Sequence, residues 1–217
     1  VVLVGAMRPA TAVSADGPLN IINAVKTAVC AESAGQGVLV VMNDEIYGGR
    51  DVTKTNTANV ATFKAPNGGA LGCIVGGEVR YYYRSVRPHT LAAEFAISKV
   101  TALPRVDIIY AHIGQDRVLV DAACAAGARG LVYAGSGMGS IHGAVEAALA
   151  EAVQSGVVVV RSSRTGSGRV SAGLARWQEQ GFLYADNLNP QKARLLLQLA
   201  LLQTHERSEV QELFLHY

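Results

Sequence analysis

The sequence has little of what marks a disulfide scaffold, a metal site or a membrane protein. It has three cysteines, odd in number and widely spaced, and no two of them form a CxxC motif. The five histidines show no spacing typical of metal ligands, so metal and redox chemistry have little support. No apolar run reaches the roughly 20 residues of a membrane-spanning helix. The sequence therefore predicts neither a metal centre nor a membrane partner.

A concentration of charge is also missing. The formal net charge is +2 over 217 residues, and the basic residues are scattered rather than clustered. Because nucleic acids and anionic membranes are bound by concentrated basic patches, we predict no nucleic-acid partner. What the sequence does have is apolar residues, 50% of the total with only 6% aromatic, among which Ala and Val are abundant. This composition is typical of closely packed α/β layers.

Strand-like and helix-like segments alternate along the first part of the chain. Val1–Val4 has the composition of a strand, and Asp16-Gly17-Pro18 predicts the start of a helix that Asp16 can cap. Gly76-Gly77, between two apolar segments, predicts a hairpin. One face of the predicted helix carries Leu19, Ile22, Val25 and Val29.

From residue 106 onward a strand–helix–strand order repeats, which predicts a parallel sheet with right-handed crossovers. The predicted elements are strand Val106–Tyr110, a helix around Arg117–Ala126, strand Gly130–Ala134, helix Ile141–Gln154 and strand Val157–Val160. Near the end, Asn189 caps a helix with an apolar stripe formed by Leu195, Leu196, Leu199 and Leu202.

The fold class is therefore predicted as α/β with two domains. We expect residues 1–83 to form an incomplete flavodoxin-like sheet and residues 105–217 to form a smaller, Rossmann-like domain with a parallel sheet. Residues 84–104 have weaker periodicity, two prolines and mixed charge, which is typical of a linker between domains.

The most informative stretch is the run Arg50-Asp51-Val52-Thr53-Lys54-Thr55-Asn56-Thr57. It follows the strand-like segment Val38–Met42, and α/β folds place their chemistry beyond the carboxyl ends of strands. A lysine there can join a proton relay when its surroundings lower its pKa or a carboxylate lies beside it. Lys54 is therefore a candidate catalytic residue.

Three motifs occur in order: GAMRPAT…SADGP from Gly5, ND…GRDVTKTNT from Asn43 and NLNPQKAR from Asn187. Together they resemble the bacterial-type L-asparaginase family, type II, over essentially the whole chain. The resemblance implies hydrolysis of L-asparagine, and of L-glutamine as a further substrate, without a cofactor. It also implies a homotetramer with sites shared between subunits. Type II relatives are exported to the periplasm, and the cytoplasm is the alternative.

Two further motifs of this family do not occur in the sequence. In the family, a TGGTIA-like segment bears the nucleophilic threonine and an HGTDT segment bears a second threonine and an aspartate, both upstream of GAMRP. We therefore expect the chain to be an amino-terminally truncated asparaginase. Lys54 matches the lysine of the family's threonine–lysine–aspartate relay, and without those partners we expect the chain alone to be inactive.

The resemblance also assigns substrate-binding residues. Ala6 matches a position whose backbone lines the substrate pocket. Ser140, in the run Gly135-Ser136-Gly137-Met138-Gly139-Ser140, matches a substrate-contacting position that is Asn in some members and Ser in others. That run ends a strand and is predicted to open a helix, but its GxGxG spacing is not the dinucleotide fingerprint. At the family's substrate-binding glutamate the sequence has Ala175, and Glu179 is the nearest carboxylate.

Two other functions remain open at this point. One is a catalytically inactive protein that keeps the fold for amino-acid binding or subunit assembly, which the missing threonine motifs favour. The other is a related amidase acting on a larger substrate, which the absence of a glutamate at Ala175 favours.

Overall fold

The computed structural model describes residues 1–217, apart from the side chain of Lys99, and divides into two compact units. Unit 1 is Val1–Ala93 and unit 2 is Glu94–Tyr217. The boundary falls inside residues 84–104, the segment predicted as a linker. Both units contain helices and strands, which confirms the α/β class.

Unit 1 contains a five-stranded mixed sheet and a separate two-stranded hairpin. The large sheet has the order β1-β2-β3-β6-β7, in which β1 and β2 are parallel and the other pairs are antiparallel. Strands β4 and β5 pair only with each other. The elements are β1 (Val2–Val4), α1 (Gly17–Val29), β2 (Leu39–Met42), β3 (Glu45–Gly48), β4 (Thr53–Lys54), β5 (Phe63–Lys64), β6 (Gly72–Val75) and β7 (Glu78–Tyr81).

Two tight turns explain why most of this sheet is antiparallel. Asn43 and Asp44 both have positive φ angles, 51° and 61°, and join β2 to β3 as a two-residue hairpin. Gly76 and Gly77 have φ angles of 60° and 80° and join β6 to β7 in the same way. Positive φ at both central residues gives a turn whose twist matches that of the strands. The hairpin predicted at Gly76-Gly77 is confirmed.

Helix α1 is oriented differently from a typical amphipathic helix. An apolar face normally packs inward, yet Leu19, Ile22 and Val25 are between 52% and 58% exposed. The buried residues of α1 are Asn20, Asn23, Ala24 and Thr27. The side of α1 that faces the sheet is therefore mostly polar, and its hydrogen bonds matter for the site.

Unit 2 is built around a four-stranded parallel sheet with the order β11-β10-β9-β8. The elements are β8 (Val106–Tyr110), α2 (Val118–Ala125), β9 (Gly130–Gly135), α3 (Gly143–Gln154), β10 (Val158–Ser163), α4 (Ala175–Glu179), β11 (Leu183–Tyr184), α5 (Pro190–Ala200) and α6 (Arg207–His216). The predicted parallel sheet is confirmed. Short 3-10 helices lie across both units, at Ala31–Ser33, Val60–Thr62 and Thr90–Ala92 in unit 1 and at Ile97–Lys99 in unit 2.

Both faces of the parallel sheet are covered, so most residues of its strands are apolar. On β9, Leu131 and Tyr133 pack against α2 and α3, whereas Val132 between them packs against α5 and α6. Successive side chains of a strand point to opposite faces, and in a sheet covered on both faces the strands are therefore nearly continuous apolar runs. This explains why the central strands were recognisable as continuous apolar runs.

Helix α5 begins as predicted but buries a different stripe. Asn189 caps it by accepting a hydrogen bond from the Lys192 backbone N–H at 3.0 Å. Leu195 is 52% and Leu202 44% exposed, so the predicted stripe is wrong at these two positions. Four of its buried residues follow i, i+3, i+4 and i+7 spacing, which keeps them on one face of a 3.6-residue helix: Ala193, Leu196, Leu197 and Ala200.

Among the described helices, none combines the length and the apolar character that a membrane crossing requires.

Candidate active site

Lys54 is the last residue of β4 and its side chain is exposed. It pairs across the hairpin with Phe63, and Thr53 pairs with Lys64. The following loop is closed by hydrogen bonds: the backbone N–H and the hydroxyl of Thr55 both donate to the Thr62 carbonyl, at 2.9 and 2.8 Å. The Thr55 hydroxyl therefore helps to close this loop.

An ionic contact joins the β4–β5 hairpin to the main sheet of unit 1. Lys64 Nζ on β5 donates to Glu45 Oε2 on β3 at 2.7 Å, and the Tyr47 hydroxyl donates to the same oxygen. Burial alone would raise the pKa of Glu45, but the two donors outweigh it and lower that pKa. Burial and the adjacent carboxylate raise the pKa of Tyr47. A charged Glu45 therefore fixes the hairpin on which Lys54 lies.

Ala6 lies in the loop that follows β1, and its exposed side chain is packed beside Gly17. A Cβ atom on Gly17 would lie 3.4 Å from Ala6 Cβ. The loop is fixed by the Asp16 carboxylate, which accepts hydrogen bonds from the backbone N–H groups of Met7 and Arg8 at 2.9 and 2.8 Å. Asp16 precedes α1, but its side chain makes no capping hydrogen bond. Its expected role as a helix cap is therefore wrong, because the carboxylate is turned towards the preceding loop.

Ser140 ends the turn that follows β9, and its side chain is exposed. Its backbone N–H donates to the Ser136 carbonyl at 2.9 Å, and Gly137 and Gly139 adopt positive φ angles within the turn. Helix α3 begins only at Gly143. The expectation that this run opens a helix is therefore wrong, and the anion-binding property of a helix start does not apply to it.

A buried arginine, Arg161 on β10, connects the Ser140 turn with the segment before α4. Arg161 has no exposed surface. Its Nη1 donates to the Gly139 carbonyl at 3.4 Å, and its Nη2 donates to the carbonyls of Ser171 and Ala172. The guanidinium carbon lies 4.4 Å from the centre of the Trp177 ring, a cation–π distance. Burial lowers the pKa of Arg161 to about 10.

Asp186 closes a small cleft beside the same turn. The cleft is lined by residues that include Ser163, Val170, Asp186 and Leu188, and the Ser163 hydroxyl donates to the Gly137 carbonyl. Asp186 has a φ angle of 51°, in the left-handed region that residues other than glycine adopt infrequently. Its two carboxylate oxygens accept hydrogen bonds from Arg169 at 2.6 and 2.9 Å, which stabilises this conformation.

Two family models match the chain. The one described as "Asparaginase, N-terminal" matches residues 1–87, and the one described as "Glutaminase/Asparaginase C-terminal domain" matches residues 105–214. The chain belongs to the glutaminase/asparaginase family.

Known members of this family are similar to the chain along its whole length. L-asparaginase 2 of Bacillus subtilis (strain 168) is 47% identical over 217 residues, which are 100% of this chain and 57% of that protein. The "Probable L-asparaginase periplasmic" of Haemophilus influenzae is 47% identical over 215 residues, 99% of this chain and 62% of that protein. The chain thus spans about three fifths of the length of these curated relatives.

A solved structure shows the same fold. The crystal structure described as "Probable Cytoplasmic L-asparaginase from Campylobacter jejuni" superposes with a TM-score of 0.97 and 46% sequence identity. The match covers 100% of this chain and 71% of that chain.

Within this asparaginase-family chain, Glu179 is the last residue of α4 and is exposed, and Ala175 is the first residue of the same helix. Another carboxylate anchors α4: Glu146 on α3 accepts hydrogen bonds from Arg176 Nε at 2.9 Å and Nη2 at 3.3 Å. The short helix that carries Glu179 is therefore fixed by an ion pair that is largely buried on the Glu146 side.

The Glu146–Arg176 pair gives a pH dependence that can be measured. Burial alone would raise the pKa of Glu146, but Arg176, together with Trp177 and Gln180, outweighs burial and lowers that pKa below its usual 4.5. A lowered folded-state pKa gives stability that is present above the unfolded-state value and is lost as pH falls through the folded-state value. We expect the thermal midpoint to fall below pH 4.5, and to fall less steeply in Glu146→Gln.

Because Asp16, Glu45 and Asp121 also have lowered pKa values, Glu146→Gln should reduce the acid-induced loss of stability without abolishing it. Thermal unfolding of both proteins at pH 7 and at pH 3.5 to 4.5 measures the difference. Equal slopes in the two proteins would show that the pair contributes nothing to acid stability.

The sequence did not predict the residues that organise the Ala6 loop and the Ser140 turn, which are Asn20 and Arg161. The burial of Arg161 could have been predicted, because this arginine directly follows the apolar run Val157–Val160, where a buried strand continues. No feature of the sequence indicates the burial of Asn20, since an asparagine in a predicted helix is usually exposed. In the part of the chain that the structure describes, no group of three or more His, Cys, Asp or Glu side chains is arranged to hold a metal ion.

Proposed function

We propose that this protein is an L-asparaginase, which hydrolyses L-asparagine to L-aspartate and ammonia and accepts L-glutamine as a further substrate. The observation that carries this proposal is the end-to-end identity of 47% with L-asparaginase 2 of Bacillus subtilis. The description of the matching family includes glutaminases, which supports the second substrate. The proposed reaction uses no cofactor.

In the proposed mechanism Lys54 assists removal of the proton from the nucleophilic hydroxyl. Amide hydrolysis needs an activated nucleophile, and a neutral lysine is a suitable base. By the family resemblance, the nucleophile is a threonine of a TGGTIA-like segment, which these 217 residues do not contain. The exposed position of Lys54 at the end of a short strand leaves it accessible to such a partner.

Ala6, Ser140 and Glu179 are the proposed substrate-binding residues. The backbone at Ala6 would line the pocket, and the Ser140 hydroxyl would contact the amino-acid end of the substrate. Glu179 would pair with the α-ammonium group, which is costly to bury without a carboxylate. Its exposure at the end of α4 leaves it able to reach a substrate.

We also propose the assembly and location by analogy with relatives. The protein would form a homotetramer with sites shared between subunits, and residues 84–104 would link domains 1–83 and 105–217. The Haemophilus influenzae relative is described as periplasmic, and we propose the same compartment here. Cell fractionation tests this against the cytoplasm, the compartment in the description of the Campylobacter jejuni structure.

The proposed activity is tested by ammonia release from L-asparagine and L-glutamine. The 217-residue chain is compared with a form extended at its amino terminus to include the two threonine segments. We expect turnover only in the extended form, because only that form holds the nucleophile. Turnover by the short chain would contradict the assigned nucleophile, and no turnover by either form would contradict the proposed function.

A further inference from the structure

The buried polar face of α1 has a specific set of contacts. Asn20 and Asn23 are each 2% exposed. A buried amide costs free energy unless its donors and acceptor are hydrogen-bonded. Helix propensity gives no reason for asparagine at either position, so their partners must explain them.

The Asn20 amide joins three separate parts of unit 1. Its Nδ2 donates to the Gly5 carbonyl at 3.0 Å and to Asp16 Oδ2 at 3.1 Å, and its Oδ1 accepts from the Asn43 backbone N–H at 3.1 Å. Gly5 directly follows β1, and Asn43 directly follows β2. Since both amide hydrogens and the carbonyl oxygen are used, one side chain connects the ends of two parallel neighbouring strands.

Asn20 also acts on the rest of the Ala6 loop through Asp16. The carboxylate that receives the Asn20 hydrogen bond also receives those of the Met7 and Arg8 backbone N–H groups. Burial would raise the pKa of Asp16, but these donors together lower it, so the carboxylate remains charged and bonded. The residues on both sides of Ala6 are therefore fixed to one pair of side chains.

We infer that Asn20 is a positioning residue, whose buried amide sets the backbone of the Gly5–Arg8 loop, and with it Ala6, relative to the turn after β2. The inference about the loop backbone rests only on the contacts of Asn20. Only its consequence for catalysis rests on the proposed function, in which the backbone at Ala6 lines the substrate pocket.

Asn23 provides a matched control on the same helix. It is as buried as Asn20, and its Nδ2 donates to Asp44 Oδ1 at 2.7 Å. Asn20→Asp and Asn23→Asp each replace an amide donor by a carboxylate beside an existing carboxylate. They differ in the partner affected, since the first disturbs the Ala6 loop and the second disturbs the β2–β3 turn.

The test measures amide hydrogen exchange at Met7, Arg8 and Asn43 by NMR. We expect Asn20→Asp to accelerate exchange at Met7 and Arg8 about tenfold more than Asn23→Asp, the size expected when a buried hydrogen-bond network is broken locally. Asn43 should remain protected in Asn20→Asp, because the new carboxylate still accepts its N–H. Lowering the pH should restore part of the protection, since a protonated carboxyl group can donate one hydrogen bond.

Equal acceleration at Met7 and Arg8 in both variants would overturn the inference, because it would reflect general destabilisation. If Asn20→Asp does not fold, Asn20→Ser, whose hydroxyl is too short to bridge the same partners, takes its place in the same comparison.

A kinetic measurement adds the consequence for substrate binding. In the active, extended form, we expect Asn20→Asp to raise KM for L-asparagine about tenfold with a smaller change in kcat, as for a residue that shapes binding. An unchanged KM beside accelerated loop exchange would confine the role of Asn20 to the loop and overturn its link to the pocket. Absence of activity in the unmodified extended form is a failure of the proposed function alone, because the exchange comparison still decides the inference.

Discussion

Lys54→Met in the active, extended form should lower kcat for L-asparagine by about a thousandfold, the middle of the range that a general acid–base residue contributes. Methionine keeps the length of the side chain and removes its ability to accept a proton. Lys54 is exposed and ends a two-residue strand, so the substitution should change the free energy of unfolding by no more than about 0.5 kcal/mol. Steady-state kinetics and thermal unfolding of the same preparation measure both quantities.

Two further variants separate the chemistry from the charge. Lys54→Arg keeps the positive charge but cannot give up its proton near neutral pH, so we expect it to be nearly as inactive as Lys54→Met. Lys26→Met removes another exposed lysine of unit 1, which donates to the Gly77 carbonyl at 2.9 Å, and it should keep full turnover. A Lys54→Met protein with undiminished kcat would exclude Lys54 from the relay.

The parts of the fold that the sequence predicted are those governed by local pattern. The strands of unit 2 are buried on both faces and therefore appear as apolar runs, and the Gly76-Gly77 hairpin follows from the backbone freedom of glycine. The cap at Asn189 likewise depends on residues within one helical turn. In each case the physical cause lies within a few residues of the feature that it determines.

What could not be predicted depends on partners distant in the sequence. Helix α1 turns its apolar face outward because Asn20 and Asn23 bond to groups near residues 5, 16, 43 and 44, and no local pattern contains that information. Arg161 is similar, since its acceptors lie 10 to 22 residues away. The assignments of Lys54, Ala6 and Ser140 rest on motif resemblance, and Glu179 is the carboxylate nearest to a position where the motif is not matched. All four stay predictions, of which the Lys54 variants test the first directly.

The backbone of the Ser140 turn is expected to be sensitive to a single methyl group at Gly135. A Cβ atom there would lie 2.5 Å from both the Gly139 carbonyl carbon and the Ser140 carbonyl oxygen. These are backbone atoms of a turn that Arg161 and Ser163 hold from β10, so they cannot move aside cheaply. We expect Gly135→Ala to lower the free energy of unfolding by about 3 kcal/mol, the upper part of the usual range for overpacking a buried site. Urea unfolding at pH 7 measures it.

Gly143→Ala is the matched control, because it makes the same change eight residues later. A Cβ atom on Gly143 would meet nothing within 4 Å, and Gly143 is the first residue of α3. Alanine is favoured over glycine in a helix by about 0.5 to 1 kcal/mol, so this variant should be as stable as the unmodified protein or slightly more stable. Exchange at the Ser140 backbone N–H, which bonds to the Ser136 carbonyl, should accelerate in Gly135→Ala and not in Gly143→Ala. Equal stability of the two variants would mean that the turn yields to the methyl group, and that Ser140 is not held in the position that the structure gives it.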